Sequence, residues 1–553
     1  MLRLTEIKLP LEHAENALRD AILQTLNLTP DDLASFTVFK RSFDARKAVI
    51  MQVYIIDLEL ASDGLEAALL ARHAGNPHIQ ATPDMTYHPV GSAPASLPLR
   101  PVVVGFGPCG MFAALVLAQM GFRPIVLERG KTVRERTQDT WGLWRKKVLN
   151  PESNVQFGEG GAGTFSDGKL YSQIKDPRHL GRKVMNEFVK AGAPADILYE
   201  AHPHIGTFKL VKVVENMREQ IIALGGEIRF QQRVTDVLIE GGADKKHIRG
   251  LTVRDQATGQ THELRADQVV LALGHSSRDT FAMLHERGVY VEAKPFSIGF
   301  RVEHPQGLID RARWGRHAGH PALDAAEYKL VHHASNGRSV YSFCMCPGGT
   351  VVAATSEAGR VVTNGMSQYS RNERNANAGI VVGIDPRDYP GNPLAGIELQ
   401  RQLESHAFVL GGGNYEAPGQ LVGDFVAGRA STALGDIMPS YKPGVAIGDL
   451  SSALPAYAIE AMREAFPAFG QKIKGFDRHD AVLTGVETRT SSPIKMSRGE
   501  DLQSIAVRGL YPAGEGASYA GGILSAGVDG IKVAEAVARS VLAGSEYQRT
   551  RAA

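Results

Sequence analysis

The sequence predicts an α/β fold in which a dinucleotide-binding parallel sheet is split by a β-rich insertion and preceded by a small α+β unit. Three observations carry this expectation. A short strand, a G-x-G-x-x-G turn and an apolar helix follow one another in VVVGFGPCGMFAALVLAQM (102–120). A second glycine-rich strand-to-helix segment, GLYPAGEGASYAGGILSAGVDGIKVAEAVARSVL, stands far away at 509–542. Between them, residues 286–484 contain β-type runs such as YSFCMCPGGTVVAATS, which fits a β-hairpin.

At 553 residues the chain is too long for one core, and at roughly 150 residues per domain it divides into several units. Residues 1–88 form the first. LRLTEIKLP reads as a strand, residues 11–26 and 64–73 as helices, and FTVFKRS (36–42) and AVIMQVYIIDLEL (48–60) as two strands joined through FDARK. The Pro-, Ser- and Ala-rich stretch 89–101 reads as a linker. The dinucleotide-binding domain then spans 102–285 and returns at 485–553, on either side of the inserted substrate or cap domain at 286–484.

Each glycine of the turn has a reason. Gly105 permits the tight bend, Gly107 lets backbone approach a pyrophosphate, and Gly110 allows close helix–strand packing. The helix N-terminus offers free N–H groups and partial positive charge to phosphates. A second strand, Arg123 to Leu127, ends at Glu128, 18 residues after the last glycine, where a carboxylate accepts hydrogen bonds from both hydroxyls of a ribose. At the other end, Glu515 and the helix after Gly521 and Gly522 suit a flavin's ribityl chain and its N1/O2 edge. GGGNYEAPGQ (411–420) lacks the strand and helix needed for a second dinucleotide site.

GFGPCG with Glu128, NVQFGEGGAGTFSDGKL (154–170), HIGTFKL (204–210), VVLALGHSSRDT (269–280), KPFSIGFRVEHP (294–305), FCMCPGG (343–349), GVETRTSSP (485–493) and GLYPAGEGASYAGG together resemble a family of FAD-dependent dehydrogenases. Its members share the glutathione-reductase-like, Rossmann-type FAD-binding superfold and carry a small N-terminal domain. The resemblance implies FAD as cofactor, with its pyrophosphate along Gly105, Phe106, Gly107, Pro108, Cys109 and Gly110 and its ribose at Glu128 and Arg129. It places adenine by the backbone of Val234, in the strand 227–240, and Gly274 near the pyrophosphate, with His275 either contacting FAD or capping the turn. Gly514, Glu515, Gly522 and Ile523 would hold ribityl and isoalloxazine, with Gly161, Thr164 and Ser166 wrapping the flavin side. The implied activity is hydride transfer between flavin and a small-molecule substrate, with NAD(P)H as a transient donor or a quinone or redox-partner protein as acceptor. Two alternatives stand beside it: a flavin hydroxylase, and a flavoprotein whose N-terminal unit binds RNA or protein through Lys40, Arg41, Arg46 and Lys47 with Phe39 and Phe43.

Composition narrows the partners. Lys and Arg number 61 against 59 Asp and Glu, so a net charge of +2 gives no general attraction to nucleic acid or an anionic membrane. No apolar run reaches the length of a membrane span, and three cysteines fit a reducing, cytoplasmic setting better than a disulfide framework. His202, His204, His332 and His333 lack partners at a metal-ligand spacing, so no metal is expected.

Cys344, Cys346, Glu487 and Arg489 are the candidate catalytic residues, the last two equally readable as an ion pair. Cys344 and Cys346 fall on one face of a strand, as packed core or as a dithiol feeding a flavin. Tyr369, Arg371, Asn372, Arg374, Asn375 and Asn377 are further donors for an anionic or carbonyl-bearing substrate.

Overall fold

Three-residue strands of unbroken apolar sequence build the centre of the molecule, as expected of strands buried on both faces. The computed structural model describes residues 1–242 and 246–552, and side chains up to 544. Val102–Val104 lies between Ile125–Leu127 and Val269–Leu271, with Glu227–Arg229 and Leu510–Pro512 at the edges, and every pairing is parallel. Period-two alternation sends side chains to two cores. Val103, Val126, Val270 and Tyr511 face the helices Pro108–Gln119 and Ile523–Ala552. Val102, Val104, Leu127, Val269 and Leu271 face an antiparallel sheet of Gln232–Glu240, His247–Asp255 and Thr261–Arg265. The segment 227–240, expected as one strand, breaks at Phe230 and Gln231, where φ is +57° at Gln231, and so serves both sheets.

The inserted layer is a seven-stranded sheet in the order Val331–His333, Ser339–Cys346, Asn375–Ile384, Phe296–Pro305, Val482–Glu487, Ala417–Leu421 and Val445–Ile447. The boundary expected at 484 falls inside the strand Val482–Glu487. The hairpin expected from YSFCMCPGGTVVAATS does not form. Ser339–Cys346 stays in the large sheet, while Gly349–Ala353 pairs with Thr363–Ser367 in a separate ribbon. The redirection occurs at Gly348, where φ is +42° and a side-chain Cβ would stand 1.6 Å from the Arg371 carbonyl oxygen.

The N-terminal unit is a four-stranded sheet, ordered Leu33–Asp44, Met51–Leu60, Leu2–Pro10 and Ile79–Ala81, whose core takes in the helices Ala17–Leu26 and Asp63–Arg72. The first helix starts later than periodicity indicated, since residues 11–16 form turns. Two features read as RNA contacts are engaged internally. The Arg41 guanidinium pairs with Glu200, and its backbone N–H donates to the Tyr199 carbonyl at 2.6 Å. Phe39 lies under two guanidinium groups, Arg3 at 3.7 Å and Arg182 at 4.5 Å. Among the described residues no helix is long and apolar enough to cross a membrane.

Candidate functional site: a cavity from the glycine turn to the inserted sheet

A cavity of about 830 Å³ runs along the C-terminal ends of the parallel strands, where ligands of open α/β sheets bind. The turn after Val102–Val104 forms its middle. The helix Pro108–Gln119 begins with Gly107 as N-cap and Pro108 in the first turn, so its leading N–H groups are free of intrahelical partners. Gly105 has φ +98°, and a Cβ there would stand 2.2 Å from the Ala272 carbonyl oxygen. Gly110 passes so close to Gly105 that a Cβ would lie 2.0 Å from its carbonyl oxygen. Gly110 therefore supports the turn from behind and does not line the cavity, unlike Gly105, Phe106, Gly107, Pro108 and Cys109. Burial pushes the Cys109 thiol well up, leaving it as packing.

Glu128 is buried at one end of the cavity, beside Leu127, Arg129, Gln232 and Val234. Its carboxylate accepts three backbone N–H groups, from Phe106, Gly130 and Gly158, each at 2.9 Å. A carboxylate has about four acceptor positions. One position therefore remains for a ribose hydroxyl, not the two hydroxyls expected. Arg129 is held by Glu152 and Asp279, both at 2.9 Å, and lies 4.0 Å over the Phe157 ring.

The loop GEGGAG folds back on the turn: the Gly160 N–H donates to the Phe106 carbonyl at 2.8 Å, and a Cβ on Gly161 would stand 2.8 Å from the Gly107 Cα. Only paired glycines allow this approach. Arg136 holds the loop from beneath. Its guanidinium donates to the carbonyls of Asn154, Val155, Glu159 and Gly161 at 2.6–2.8 Å, and burial draws its pKa down to about 10. Gly161 and Ser166 line the cavity. Thr164 does not: its buried hydroxyl packs against Gly160 and makes no hydrogen bond.

The opposite end is built from both halves of the chain. Gly274 and His275 come from the segment after Val269–Leu271, and Gly514, Glu515, Gly522 and Ile523 from the C-terminal segment. Burial, reinforced by Arg489 and Arg278, lowers the His275 pKa to about 3, so the imidazole is neutral; its Nδ1 lies 2.9 Å from the Ser276 hydroxyl. Burial raises the Glu515 carboxyl to about 7, against the opposing pull of Lys294. Arg489 reaches the wall, but its charge is committed to Glu404 at 3.0 Å and its remaining donors to Ser276 and Ser356.

The inserted sheet supplies the last wall through Tyr341, Ser342, Phe343, Cys344 and Met345, joined by Asn364. Tyr328 and Lys329 extend this wall, and the buried Tyr328 hydroxyl has no hydrogen-bond partner. Glu487, expected as a catalytic candidate, is not in the wall. It lies behind it, paired with Arg301 at 2.8 Å. None of the donors expected from 369–377 lines the cavity, and several bond within the protein. Arg371 binds Asp167 and Glu327, Asn375 donates to Glu303, and Asn377 accepts from Arg301. Tyr369 donates to Asp196 and stacks on His204. His202 stacks on Tyr171 at 4.6 Å, His332 bonds Glu464 and His333 bonds Ser339.

Lys169 and Tyr171 are among the wall residues that escaped sequence reasoning. Lys169 closes the SDGK stretch; its ammonium donates to the Met345 carbonyl and lies 3.7 Å from Glu327, which raises its pKa despite burial. Tyr171 donates to Glu327 at 3.0 Å. Their only sequence signal was their position just after the glycine loop, where the chain had to remain near the cavity.

The residues fit a flavin dinucleotide. The cavity is continuous, a helix N-terminus opens into it, and facing glycines leave space where any side chain would intrude. Comparison with known proteins agrees. The profile of a FAD binding domain matches residues 100–306, that of a FAD-dependent protein C-terminal domain matches 295–490, and a domain of unknown function matches 1–59. An uncharacterized protein of Clostridium beijerinckii is 47% identical over 537 residues, 97% of this chain and 98% of its own. Among solved structures, the glycerol-3-phosphate dehydrogenase of Bacillus halodurans, complexed with FAD, is 12% identical with a TM-score of 0.35, covering 81% of this chain and 65% of that one. A flavoprotein/dehydrogenase of Cytophaga hutchinsonii is 12% identical with a TM-score of 0.35, covering 80% and 79%. Likeness at that level carries no weight beside the long relative and the domain profiles: this chain belongs to one family with the Clostridium beijerinckii protein, a family of FAD-dependent proteins.

Proposed function

We propose that the protein transfers a hydride between FAD held in this cavity and a small molecule that enters against the inserted sheet. One observation carries the reading. The dinucleotide turn, the Glu128 end and the Glu515–Ile523 segment open into a single cavity whose far wall belongs to the insertion. Bound flavin supplies two-electron chemistry at N5, so the protein's task is orientation and electronics.

The chain's residues divide that task. The first N–H groups of the helix Pro108–Gln119 face the pyrophosphate, Glu128 takes one ribose hydroxyl, and the backbone near Val234 borders adenine. Glu515 and the Gly522–Ile523 helix start hold the ribityl and ring end. Phe343, Met345 and Tyr341 exclude water from the opposite side, while Lys329 provides a polar contact for the substrate. A reduced nicotinamide coenzyme docks transiently at this substrate end.

Anaerobic mixing of the FAD-loaded protein with NADH or NADPH tests the electron path. Bleaching of the flavin band, slowed when the transferred hydrogen of the coenzyme is deuterium, is the expected result. A flavin that stays oxidised with both coenzymes would remove nicotinamide from the proposal.

A further inference from the structure

Cys344 and Cys346 lie where the strand Ser339–Cys346 loses its register. Phe343 pairs with Gly379 and Cys346 with Asn377, so two residues on one strand oppose a single residue, Ala378, on the other. Cys344 has φ +43°, a left-handed conformation that side-chain-bearing residues rarely adopt and that gathers at functional sites. The bulge places Phe343, Cys344 and Met345 on the cavity wall and leaves Cys346 fully buried behind them. The Cys346 thiol donates to the Cys344 carbonyl oxygen at 3.5 Å. Both cysteines are free.

The surroundings favour a thiolate on the outer sulfur. The Cys346 thiol draws the Cys344 pKa down, and Arg301 and Lys169 add their charges; Cys346 is pushed up in turn. Arg301 also fixes the bulge, donating to the Cys344 carbonyl at 2.8 Å. Glu515, at the ring end of the cavity, is near enough for a Cys344 charge to raise its carboxyl.

We propose that Cys344 and Cys346 form a dithiol–disulfide couple that exchanges two electrons with the bound flavin, Cys344 facing the cavity and Cys346 acting as its resolving thiol. The inference rests on the flavin reading above. As the S–S bond forms, the Cys344 thiolate and the Cys346 thiol together release two electrons and the Cys346 proton. Oxidised FAD accepts the electron pair and one proton, giving anionic reduced flavin; the reverse direction reopens the disulfide. A buried resolving thiol protects the pair from external thiols while the outer one stays accessible.

The test is a reductive titration of the FAD-loaded protein with dithionite under argon, run with Cys344→Ser, Cys346→Ser and Cys346→Ala. The wild-type protein should take up four electrons per flavin and each variant two. Intact mass after aerobic purification should show two hydrogens fewer than the fully reduced chain, with iodoacetamide labelling Cys344 only after reduction. This second readout needs no variant to fold. Uptake of two electrons by a wild-type protein that retains its flavin, together with the mass of three free thiols, would overturn the couple and leave the flavin reading intact. A chain that binds no flavin would instead overturn the flavin reading.

Discussion

Arg301 and Glu487 form a buried ion pair, Nε to Oε2 at 2.8 Å, directly behind the cysteine bulge. The same guanidinium reaches Asn377 at 3.0 Å and Asn364 at 3.2 Å, so one side chain ties three strands and a carbonyl together. Replacing one member of a buried pair strands the other charge, at a cost of about 3–5 kcal/mol. Arg301→Met should lower unfolding stability by that amount in urea, and Arg301→Met/Glu487→Met should recover a large part. A double variant no more stable than the single would show that the pair is not the element lost.

Arg136 makes a second prediction. Four carbonyls of the 154–161 loop depend on its guanidinium, and no water-facing route replaces it in the buried site. Arg136→Met should cost roughly 3 kcal/mol or more through the stranded acceptors. It should also weaken FAD binding, measured by quenching of flavin fluorescence, because the loop packs on Gly107. Unchanged affinity would show that the loop does not shape the cavity.

Gly110 sets a steric limit. A methyl group 2.0 Å from the Gly105 carbonyl oxygen must displace the turn itself. Overpacking of this kind costs about 1–3 kcal/mol, so Gly110→Ala should lower FAD affinity by about tenfold or more. Titration of apoprotein with FAD reads this directly, and wild-type affinity would refute the close approach.

Glu515 predicts a pH dependence of the FAD-free protein. Its folded pKa, about 7, stands above the ordinary 4.5, so between those values the folded state binds more protons than the unfolded state. Stability from this group is present below about pH 4.5 and is lost as pH rises through 7, by at most about 3 kcal/mol. Glu515→Gln should flatten that limb of the stability profile, measured by urea unfolding at pH 5, 6, 7 and 8. Parallel profiles for the two proteins would place Glu515 in water.

The sequence was most legible where local geometry needs particular residues. Gly105, Gly107 and Glu128 declared the turn and its acidic end because few residue types satisfy a positive φ, a close backbone approach and three converging N–H groups. The split of FCMCPGG between two sheets was not legible, since Gly348 permits both a hairpin and the sharper redirection that the Arg371 carbonyl imposes. Glu487 and Arg489 looked alike in GVETRTSS, yet one is behind the wall and one in it, because their partners Arg301 and Glu404 come from distant strands and helices. Arg136 had no local signature and Lys169 only its place after the glycine loop, since their contacts are with carbonyls whose placement depends on the finished fold.

The flavin content of the purified chain decides whether the cavity holds FAD. Denaturation should release about one flavin per chain, identified by chromatography as FAD, from protein purified as is or after incubation with excess FAD and gel filtration. A colourless chain that releases no flavin and takes up none on incubation would exclude FAD from the cavity.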